Sequence, residues 1–357
     1  MRTIIVTGAA GFIGSALCRY LRAHNHAYVI GIDKMTYAAS SEALAVLSKD
    51  PQFELKEADI CNAATMHTIF QSVQPDGIIH LAAETHVDRS IDDPSSFIQT
   101  NIVGTSVLLE EMRQYLATTP GKRDTFRFLH VSTDEVYGSL DATGAFTETT
   151  PYAPNSPYAA SKAGADHLVR AWHKTYGLPV LISNCSNNYG PYQFPEKLIP
   201  LSVMKALHGE RLPIYGKGLN VRDWLYVDDH AEALHLIFSR GRIGEKYNVG
   251  GNAERRNIDL IQDLCATLDE MLPQSACHPH KQLISYVTDR PGHDERYAMD
   301  FSKLQSELGW SPKTPLSTGL RQTIKWYLDN QEWCDAIRTR KYSGERLGQI
   351  RTTGTAG

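Results

Sequence analysis

A short β-branched strand that runs into a glycine-rich turn most limits what this 357-residue chain can fold into. An Ile-Ile-Val run precedes residues 7–14, which read TGAAGFIG, and apolar residues then recur with helical spacing. In a strand–turn–helix unit, Gly8 permits the tight turn, Gly11 lets a pyrophosphate approach the backbone, and Gly14 lets helix and strand pack closely. The motif therefore predicts a dinucleotide site with phosphates at the helix N-terminus.

Carboxylates after the next strands favour one form of that dinucleotide. Asp33 ends the second predicted strand about 20 residues beyond the glycines, where a carboxylate accepts a hydrogen bond from the ribose 2′-hydroxyl. The same charge repels a 2′-phosphate, so NAD is favoured over NADP, although the adjacent Lys34 softens that preference. Asp59 and Ile60 follow another strand-like stretch and are predicted to flank the adenine. A solvated loop carboxylate is the alternative interpretation of Asp59.

Strand-like and helical stretches alternate along the first half of the chain. Such alternation predicts βαβ units, with a parallel sheet covered by helices on both faces. We therefore predict an α/β fold with a Rossmann-type, doubly wound parallel sheet and a smaller C-terminal substrate-binding lobe. The predicted strands include residues 28–33, 77–83, 126–132, 180–183 and 247–249, and the predicted helices include residues 12–23, 101–115 and 158–176.

A change of composition near residue 188 predicts where the second lobe begins. Prolines and aromatic residues cluster after that point, whereas a later segment again has the pattern of the first domain. The predicted division has the NAD-binding domain at 1–188 with a return segment at about 222–250, the nucleotide-sugar lobe at 189–221 and 251–335, and a tail at 336–357.

Charge and cysteine content exclude several classes of function. A net charge of -4 gives no overall attraction to nucleic acid or anionic membrane, and no apolar run approaches the roughly 20 residues of a membrane span. The six cysteines contain no CxxC pair and the histidines lack metal-ligand spacing, so we predict no metal site. We expect a cytoplasmic protein with free thiols that binds neither nucleic acid nor membrane.

Tyr158 and Lys162 form a Tyr-x-x-x-Lys pair within a predicted helix. Residues at i and i+4 share one face of a helix, so both side chains project together. A nearby ammonium lowers the pKa of a phenol, which predicts that Tyr158 acts as a base near neutral pH. The alternative, an ordinary helix that happens to carry a tyrosine and a lysine, has to coexist with the dinucleotide motif upstream.

Adjacent carboxylates follow the strand predicted at 126–132. Thr133, Asp134 and Glu135 stand at its carboxyl end, which is the edge of an open α/β sheet where ligands bind. Two carboxyl groups held side by side can have their pKa values pushed apart, which provides one acid and one base. An acidic turn without a catalytic role is the alternative.

The glycines, the STDEVYG sequence at residues 132–138 and the Tyr-x-x-x-Lys pair, in this order, resemble the extended short-chain dehydrogenase/reductase family. More narrowly, the chain resembles the nucleotide-sugar 4,6-dehydratases of that family, which act on dTDP-glucose. The resemblance extends from about residue 3 to about residue 330. The long stretches that carry it, each far more specific than a glycine motif, are residues 80–91, 184–200, 221–227 and 289–294.

The resemblance implies a closed redox cycle. In that cycle Tyr158 takes the C4 hydroxyl proton while hydride passes from C4 to NAD, and Lys162 binds the nicotinamide ribose. Glu135 then removes the C5 proton, Asp134 protonates the departing C6 hydroxyl, and Thr133 aligns the sugar near C4. Return of the hydride to C6 regenerates NAD and leaves a 4-keto-6-deoxy sugar.

The resemblance also implies binding residues and a partner. Arg222 and Arg290 would grip the diphosphate, because guanidinium groups donate charge-assisted hydrogen bonds to phosphate oxygens. The helices predicted at 101–115 and 158–176 pair across a two-fold axis in the resembling family, so we expect a homodimer. Further substrate contacts would come from Thr85, Asn187, Lys197, Leu198, Asn257, His293 and Tyr297, and further cofactor contacts from Phe12, Ile13 and Ala82.

Two other functions stay open at this point. A 4-epimerase or decarboxylase on the same scaffold shares the glycines and the tyrosine–lysine pair, but simple epimerisation does not need the acid and base that Asp134 and Glu135 provide. A cofactor-binding regulator without catalysis is the second alternative. The nucleobase is open as well, because thymidine rests on the resemblance alone and uridine sugars are compatible with the residues.

Overall fold

The glycine turn begins the central sheet of the protein, which a computed structural model describes for residues 1–340, 342, 344 and 347. Strand β1 (Thr3–Thr7) leads through the turn into helix α1 (Phe12–Ala23), and strand β2 (Tyr28–Asp33) returns parallel to β1. The bounds of α1 and β2 are those predicted from the sequence. The regular spacing of apolar residues therefore sets the local structure here.

The other elements first continue the alternation of strands and helices and then depart from it. The remaining strands are β3 (Phe53–Glu57), β4 (Gly77–His80), β5 (Arg127–Thr133), β6 (Val180–Cys185), β7 (Asn187–Tyr189), β8 (Leu212–Tyr215), β9 (Val221–Tyr226), β10 (Lys246–Val249), β11 (Glu254–Arg256) and β12 (Ile284–Val287). The remaining helices are α2 (Ala63–Val73), α3 (Val87–Asp92), α4 (Pro94–Phe97), α5 (Thr105–Thr118), α6 (Pro157–Tyr176), α7 (Leu198–Leu207), α8 (Val227–Arg240), α9 (Asn257–Met271), α10 (Ser302–Leu308), α11 (Leu316–Asp329) and α12 (Gln331–Arg340).

The main sheet has seven parallel strands within the described chain, in the order β10-β6-β5-β4-β1-β2-β3. The chain winds outward in one direction through β2 and β3, then crosses back so that β4 lies on the other side of β1. In such sheets ligands bind beyond the carboxyl ends of the strands, at the point where the winding reverses. The predicted doubly wound α/β fold is confirmed.

Separate apolar clusters bury the two faces of the main sheet. On one face Leu17 of α1 and Leu234 of α8 are completely buried, and on the other Met66 of α2 and Met112 of α5 are. Each such side chain contributes about 1.5–3 kcal/mol of hydrophobic free energy relative to an exposed one. Helices on both faces thus hold the sheet rigid, and the carboxyl ends of its strands are fixed relative to one another.

Two small sheets form the second lobe. Strand β9 pairs in parallel with β7 and antiparallel with β11, and β8 pairs in parallel with β12. The segment predicted to return to the first domain begins at about residue 222 and ends at about residue 250. In the structure its first part, β9, belongs to the three-stranded sheet, and the chain rejoins the main sheet and its helices with α8 and β10. The division into domains as a whole stays a prediction. The predicted tail starts inside α12, and most of it lies outside the described residues.

The strand predicted at 77–83 ends early, at His80. The backbone N–H of Leu81 still donates to the backbone carbonyl of Thr7 at 3.1 Å, but that of Ala82 donates to the Thr7 hydroxyl at 3.2 Å, so the strand ladder ends here. This turns the chain away from the sheet and brings Ala82 against the glycine turn. Among the described helices, none combines the length and apolar character needed to cross a bilayer.

Candidate active site

A cavity of about 290 Å³ lies at the carboxyl edge of the main sheet. It extends from the glycine turn past the ends of β2, β4, β5 and β6 to the loop before α7. The predicted catalytic residues Thr133, Asp134 and Glu135 line it. So do all the predicted cofactor contacts, namely Gly8, Gly11, Phe12, Ile13, Gly14, Asp33, Lys34, Asp59, Ile60, Ala82, Tyr158 and Lys162.

The glycine turn keeps a space that side chains would fill. A Cβ on Gly14 would lie 2.0 Å from the carbonyl oxygen of Gly8, and a Cβ on Gly8 would lie 2.7 Å from the backbone nitrogen of Ala82. Gly8 also has a φ of 69°, which side chains disfavour. The bare backbone and the start of α1 fit the pyrophosphate of a dinucleotide.

We expect Gly14→Ala to destabilise the protein and weaken NAD binding. The new methyl group overlaps the Gly8 carbonyl, and such overpacking costs about 1–3 kcal/mol of unfolding free energy. Urea unfolding and a binding titration measure the two effects. Gly121→Ala is the matched control, because no atom lies within 4 Å of its added methyl. Equal stability of the two variants would contradict the close-packing argument.

The carboxylates predicted to hold the nucleoside occupy different hydrogen-bond networks. Asp33 accepts backbone hydrogen bonds from Ala10 at 2.9 Å and from Met35 at 2.8 Å. Burial raises the pKa of Asp33, and these backbone hydrogen bonds oppose that rise. Lys34 forms an ion pair with Asp59 at 2.6 Å. Since Lys34 is paired with Asp59, part of its charge is neutralised, which supports the preference for NAD over NADP.

Asp134 and Glu135 occupy one tight turn directly after β5, whose last residue is Thr133. The Thr133 hydroxyl donates to Asp134 Oδ1 at 3.1 Å and accepts from the backbone N–H of Glu135 at 3.3 Å. Burial, and then the charge of Glu135, raise the pKa of Asp134 well above its usual value. Burial also raises the pKa of Glu135, but the charge of Arg290 opposes that rise. The pKa of Asp134 is therefore strongly raised, whereas a nearby cation opposes the rise for Glu135, which suits the first as an acid and the second as a base.

Tyr158 and Lys162 project from the first turns of α6 into the same cavity. The predicted lowering of the Tyr158 pKa is wrong for the chain by itself: burial, followed by the charge of Glu135, raises it well above the usual value. Lys162 Nζ instead donates to the carbonyl oxygen of Val131 at 2.9 Å, and burial lowers the pKa of Lys162 to about 8. Helical spacing gave the shared face correctly, but it carries no information on burial.

The predicted substrate residues fall into two groups. Thr85, Asn187 and Lys197 line the cavity. Leu198, Arg222, Asn257, Arg290, His293 and Tyr297 do not belong to that lining. The guanidinium of Arg222 lies 4.2 Å from the centre of the Tyr297 ring, and the charges of Arg290, Lys197 and Arg222 all act on Glu135. The arginines therefore lie near the acid–base pair although they are outside the cavity wall.

Known proteins match this chain over nearly its whole length. The family model for GDP-mannose 4,6 dehydratase matches residues 5–323. A dTDP-glucose 4,6-dehydratase of Xanthomonas campestris pv. campestris is 55% identical over 354 residues, which is 98% of this chain and 99% of that protein. This chain belongs to the dTDP-glucose 4,6-dehydratase family.

Solved structures of this dehydratase family share the fold. The enzyme of Streptomyces venezuelae, with NAD bound, is 43% identical and gives a TM-score of 0.85 over 94% of this chain and 99% of that one. The enzyme of Bacillus anthracis, also with NAD, is 42% identical with a TM-score of 0.83 over 94% of this chain and 100% of that one. The resemblance inferred from the motifs is confirmed.

Some dehydratase-site residues were missed by the sequence reasoning. Asp88 forms an ion pair with Arg290 at 2.8 Å and accepts a hydrogen bond from the Tyr215 hydroxyl at 2.8 Å. Glu84 and Glu196 line the cavity. Asp88 and Glu84 lie in the family-like stretch at residues 80–91. Charged residues within so specific a stretch were the signal in the sequence that could have identified both as site residues.

Proposed function

We propose that this protein dehydrates dTDP-glucose to dTDP-4-keto-6-deoxyglucose, with NAD as a hydride carrier that is regenerated in each turnover. The observation that carries the proposal is the pair of adjacent carboxyl groups, Asp134 and Glu135, in one cavity with Tyr158 and the glycine turn. Elimination of water across C5 and C6 requires an acid and a base, which simple epimerisation does not. The substrate of the close relatives, which are dTDP-glucose 4,6-dehydratases, supports the thymidine nucleotide.

Oxidation at C4 depends on the tyrosine–lysine pair. Bound NAD supplies the hydride acceptor and, in its oxidised form, a positive charge that favours an ionised phenol. Tyr158 removes the C4 hydroxyl proton, and Thr133 hydrogen-bonds the sugar near that hydroxyl. Lys162 holds the nicotinamide ribose from the floor of the cavity. A hydrogen bond with Thr133 opposes the rise in the Tyr158 pKa that burial causes.

Elimination depends on the two carboxyl groups of the turn. A ketone at C4 acidifies the C5 proton, and Glu135 removes it. Burial and the charge of Glu135 raise the pKa of Asp134 well above its usual value, which favours the protonated form that donates to the departing C6 hydroxyl. One water leaves, the hydride returns to C6, and C5 is reprotonated, so no external oxidant or reductant is consumed.

The buried Arg222 and the partly exposed Arg290 suit the diphosphate of the substrate. Arg222 is buried, and burial lowers its pKa. The charge of Arg290 lowers it further, since like charges oppose each other's ionisation. Buried cations are costly unless an anion compensates them. A diphosphate between the two guanidinium groups supplies that compensation and accepts their hydrogen bonds.

The function is tested by mass spectrometry of the product after purified protein is incubated with dTDP-glucose without added reductant. We expect the loss of one water and no net accumulation of reduced cofactor. An unchanged mass would favour an epimerase or another nucleotide sugar, and the same assay with UDP-sugars would then follow. Tight NAD binding without turnover of any sugar would favour a non-catalytic regulator.

We also propose a homodimer, formed through the helices that follow Phe97 and Ser156. Ile98 and Val103 are 53% and 37% exposed on the segment leading into α5, and Tyr176 is 45% exposed at the end of α6. Apolar groups of this size on neighbouring helices are suited to a self-complementary interface. The expected cytoplasmic location stays a prediction.

Light scattering at micromolar concentration tests the dimer. We expect the unmodified protein to be dimeric, and Ile98→Asp with Val103→Asp to be monomeric, because buried unpaired carboxylates are costly at an interface. Val46→Asp is the control, since Val46 is 74% exposed on a distant 3-10 turn and its variant should stay dimeric. A monomer without any substitution would contradict the proposal.

A further inference from the structure

A buried carboxylate outside the cavity lining connects the segments that carry the catalytic groups. Asp166 follows Lys162 by one turn of α6, so Tyr158, Lys162 and Asp166 lie along one face of the helix at i, i+4 and i+8. Asp166 is 2% exposed. A buried carboxylate is costly unless neighbouring groups donate hydrogen bonds to it or carry the opposite charge, and Asp166 has neighbours of both kinds.

One oxygen of Asp166 ties helix α6 to the main sheet. Its Oδ2 accepts hydrogen bonds from the Ser132 hydroxyl at 2.9 Å, the Tyr152 hydroxyl at 2.7 Å and the Asn184 amide at 3.3 Å. Ser132 directly precedes Thr133 on β5. The Asn184 amide, on β6, also donates to the carbonyl oxygen of Thr133 at 3.1 Å. Asp166 therefore fixes α6 against the strand end from which the acid–base turn begins.

The His130 ring is close both to the other oxygen of Asp166 and to the ammonium group of Lys162. His130 Nε2 lies 3.2 Å from Asp166 Oδ1 and 3.5 Å from Lys162 Nζ. Burial, and then the charge of Lys162, lower the pKa of His130 to about 4, so this ring is neutral near neutral pH. His80, whose ring centre is 5.2 Å from that of His130, is also buried and has a lowered pKa. Among these two histidines, Lys162 and Asp166, it is therefore Lys162 and Asp166 that carry the formal charges.

We propose that Asp166 is a positioning residue whose carboxylate keeps the buried Lys162 ammonium charged and held against β5, in place for the ribose of NAD. This proposal depends on the proposed function in one respect, namely that Lys162 binds the ribose of NAD. Burial lowers the pKa of Lys162 to about 8, and the charge of Asp166 is the largest influence that opposes it. Burial opposes ionisation of Asp166 too, but the neighbouring His130 ring and the charge of Lys162 bring its pKa below the usual value.

The test is Asp166→Asn, which removes the charge and keeps the shape. The Asn carbonyl can take the place of Oδ2 and accept from Ser132, Tyr152 and Asn184. Its amide then faces His130 Nε2, which accepts in the other tautomer of the ring. The substitution therefore changes the charge of this group with little change in its hydrogen bonds.

The measurement is NAD affinity by calorimetry as a function of pH, using the full chain. The ammonium form of Lys162 binds the ribose, so affinity should be constant below the Lys162 pKa and fall as pH rises through about 8. In Asp166→Asn we expect the NAD affinity to begin to fall at least about one pH unit lower, because a nearby opposite charge shifts a pKa by about 1–3 units. Between the two midpoints the variant should bind NAD up to about tenfold more weakly.

Tyr152→Phe is the matched control. It removes one hydrogen bond to Asp166 and keeps the charge, so it should lower stability without moving the pH at which affinity falls. A merely structural role of Asp166 predicts equal pH dependence in Asp166→Asn and the unmodified protein, and that result would overturn the proposal. So would an affinity for NAD that does not change with pH in the unmodified protein.

If Asp166→Asn does not fold alone, it is refolded with excess NAD, which stabilises the folded state by mass action, and the pH dependence of NAD release is measured instead. A variant that does not fold even with NAD would show that Asp166 acts on the fold as a whole, and that result would overturn the positioning role. Because NAD binding is measured without a sugar, absence of dehydratase activity would contradict the proposed function and leave this result intact.

Discussion

Glu135→Gln is expected to stop the reaction after oxidation at C4. The amide is close in shape to the carboxylate but cannot remove the C5 proton, and loss of such a base lowers turnover by about 10²–10⁴-fold. Tyr158, Thr133 and Lys162 are unchanged, so the first step proceeds. The absorbance of reduced nicotinamide should therefore rise after dTDP-glucose is added and persist, while mass spectrometry finds no loss of water.

The control for this variant is Glu54→Gln, which changes an exposed residue of β3 that pairs only with Lys56 in the same strand. It should turn over substrate as the unmodified protein does. Dehydration by Glu135→Gln at an unchanged rate would contradict the assignment of Glu135 as the base. Loss of turnover without any reduced nicotinamide would show that Glu135 acts before elimination.

Tyr158→Phe is expected to block the earlier step. Without the phenol no group removes the C4 hydroxyl proton, so turnover should fall by about 10²–10⁴-fold and no reduced nicotinamide should appear. The ring itself packs edge-on to Phe97, with ring centres 6.2 Å apart, and phenylalanine retains that contact. NAD affinity should therefore be kept, which separates a chemical defect from a binding defect.

Tyr176→Phe is the matched control for Tyr158→Phe, since Tyr176 ends the same helix and is half-exposed. Stopped-flow absorbance and product mass spectrometry distinguish the two variants. If Tyr158→Phe formed reduced nicotinamide at the unmodified rate, another group would be the base at C4. Together, Tyr158→Phe and Glu135→Gln divide the reaction into the step before and the step after the C4 ketone.

Sequence periodicity was sufficient where local spacing determines structure. The bounds of α1 and β2 were predicted correctly because apolar spacing, glycines and a terminal carboxylate all mark the same positions. The strand predicted at 77–83 was too long, because apolar composition does not reveal that the Thr7 hydroxyl binds the backbone of Leu81 and Ala82. Strands of three or four residues, such as β7 and β11, are too short for a periodic signal.

The sequence predicted which residues line the cavity better than it predicted their pKa values. The carboxyl ends of parallel strands meet at one edge, so the glycine turn, Asp33 and the turn after β5 had to lie together. Burial, which decides the pKa of Tyr158 and of Lys162, is a property of the whole fold and cannot be read from an i, i+4 spacing. Asp166 is eight residues from Tyr158, yet its partners come from β5, β6 and the loop before α6.

The most direct test of a closed redox cycle uses dTDP-glucose labelled with deuterium at C4. Hydride leaves C4 and returns to C6 within the same active site, and the water that departs carries a proton from Asp134. We therefore predict a product that has lost one ordinary water and retains the deuterium in its new methyl group. A product whose deuterium is lost to solvent, or is still at C4, would contradict the account.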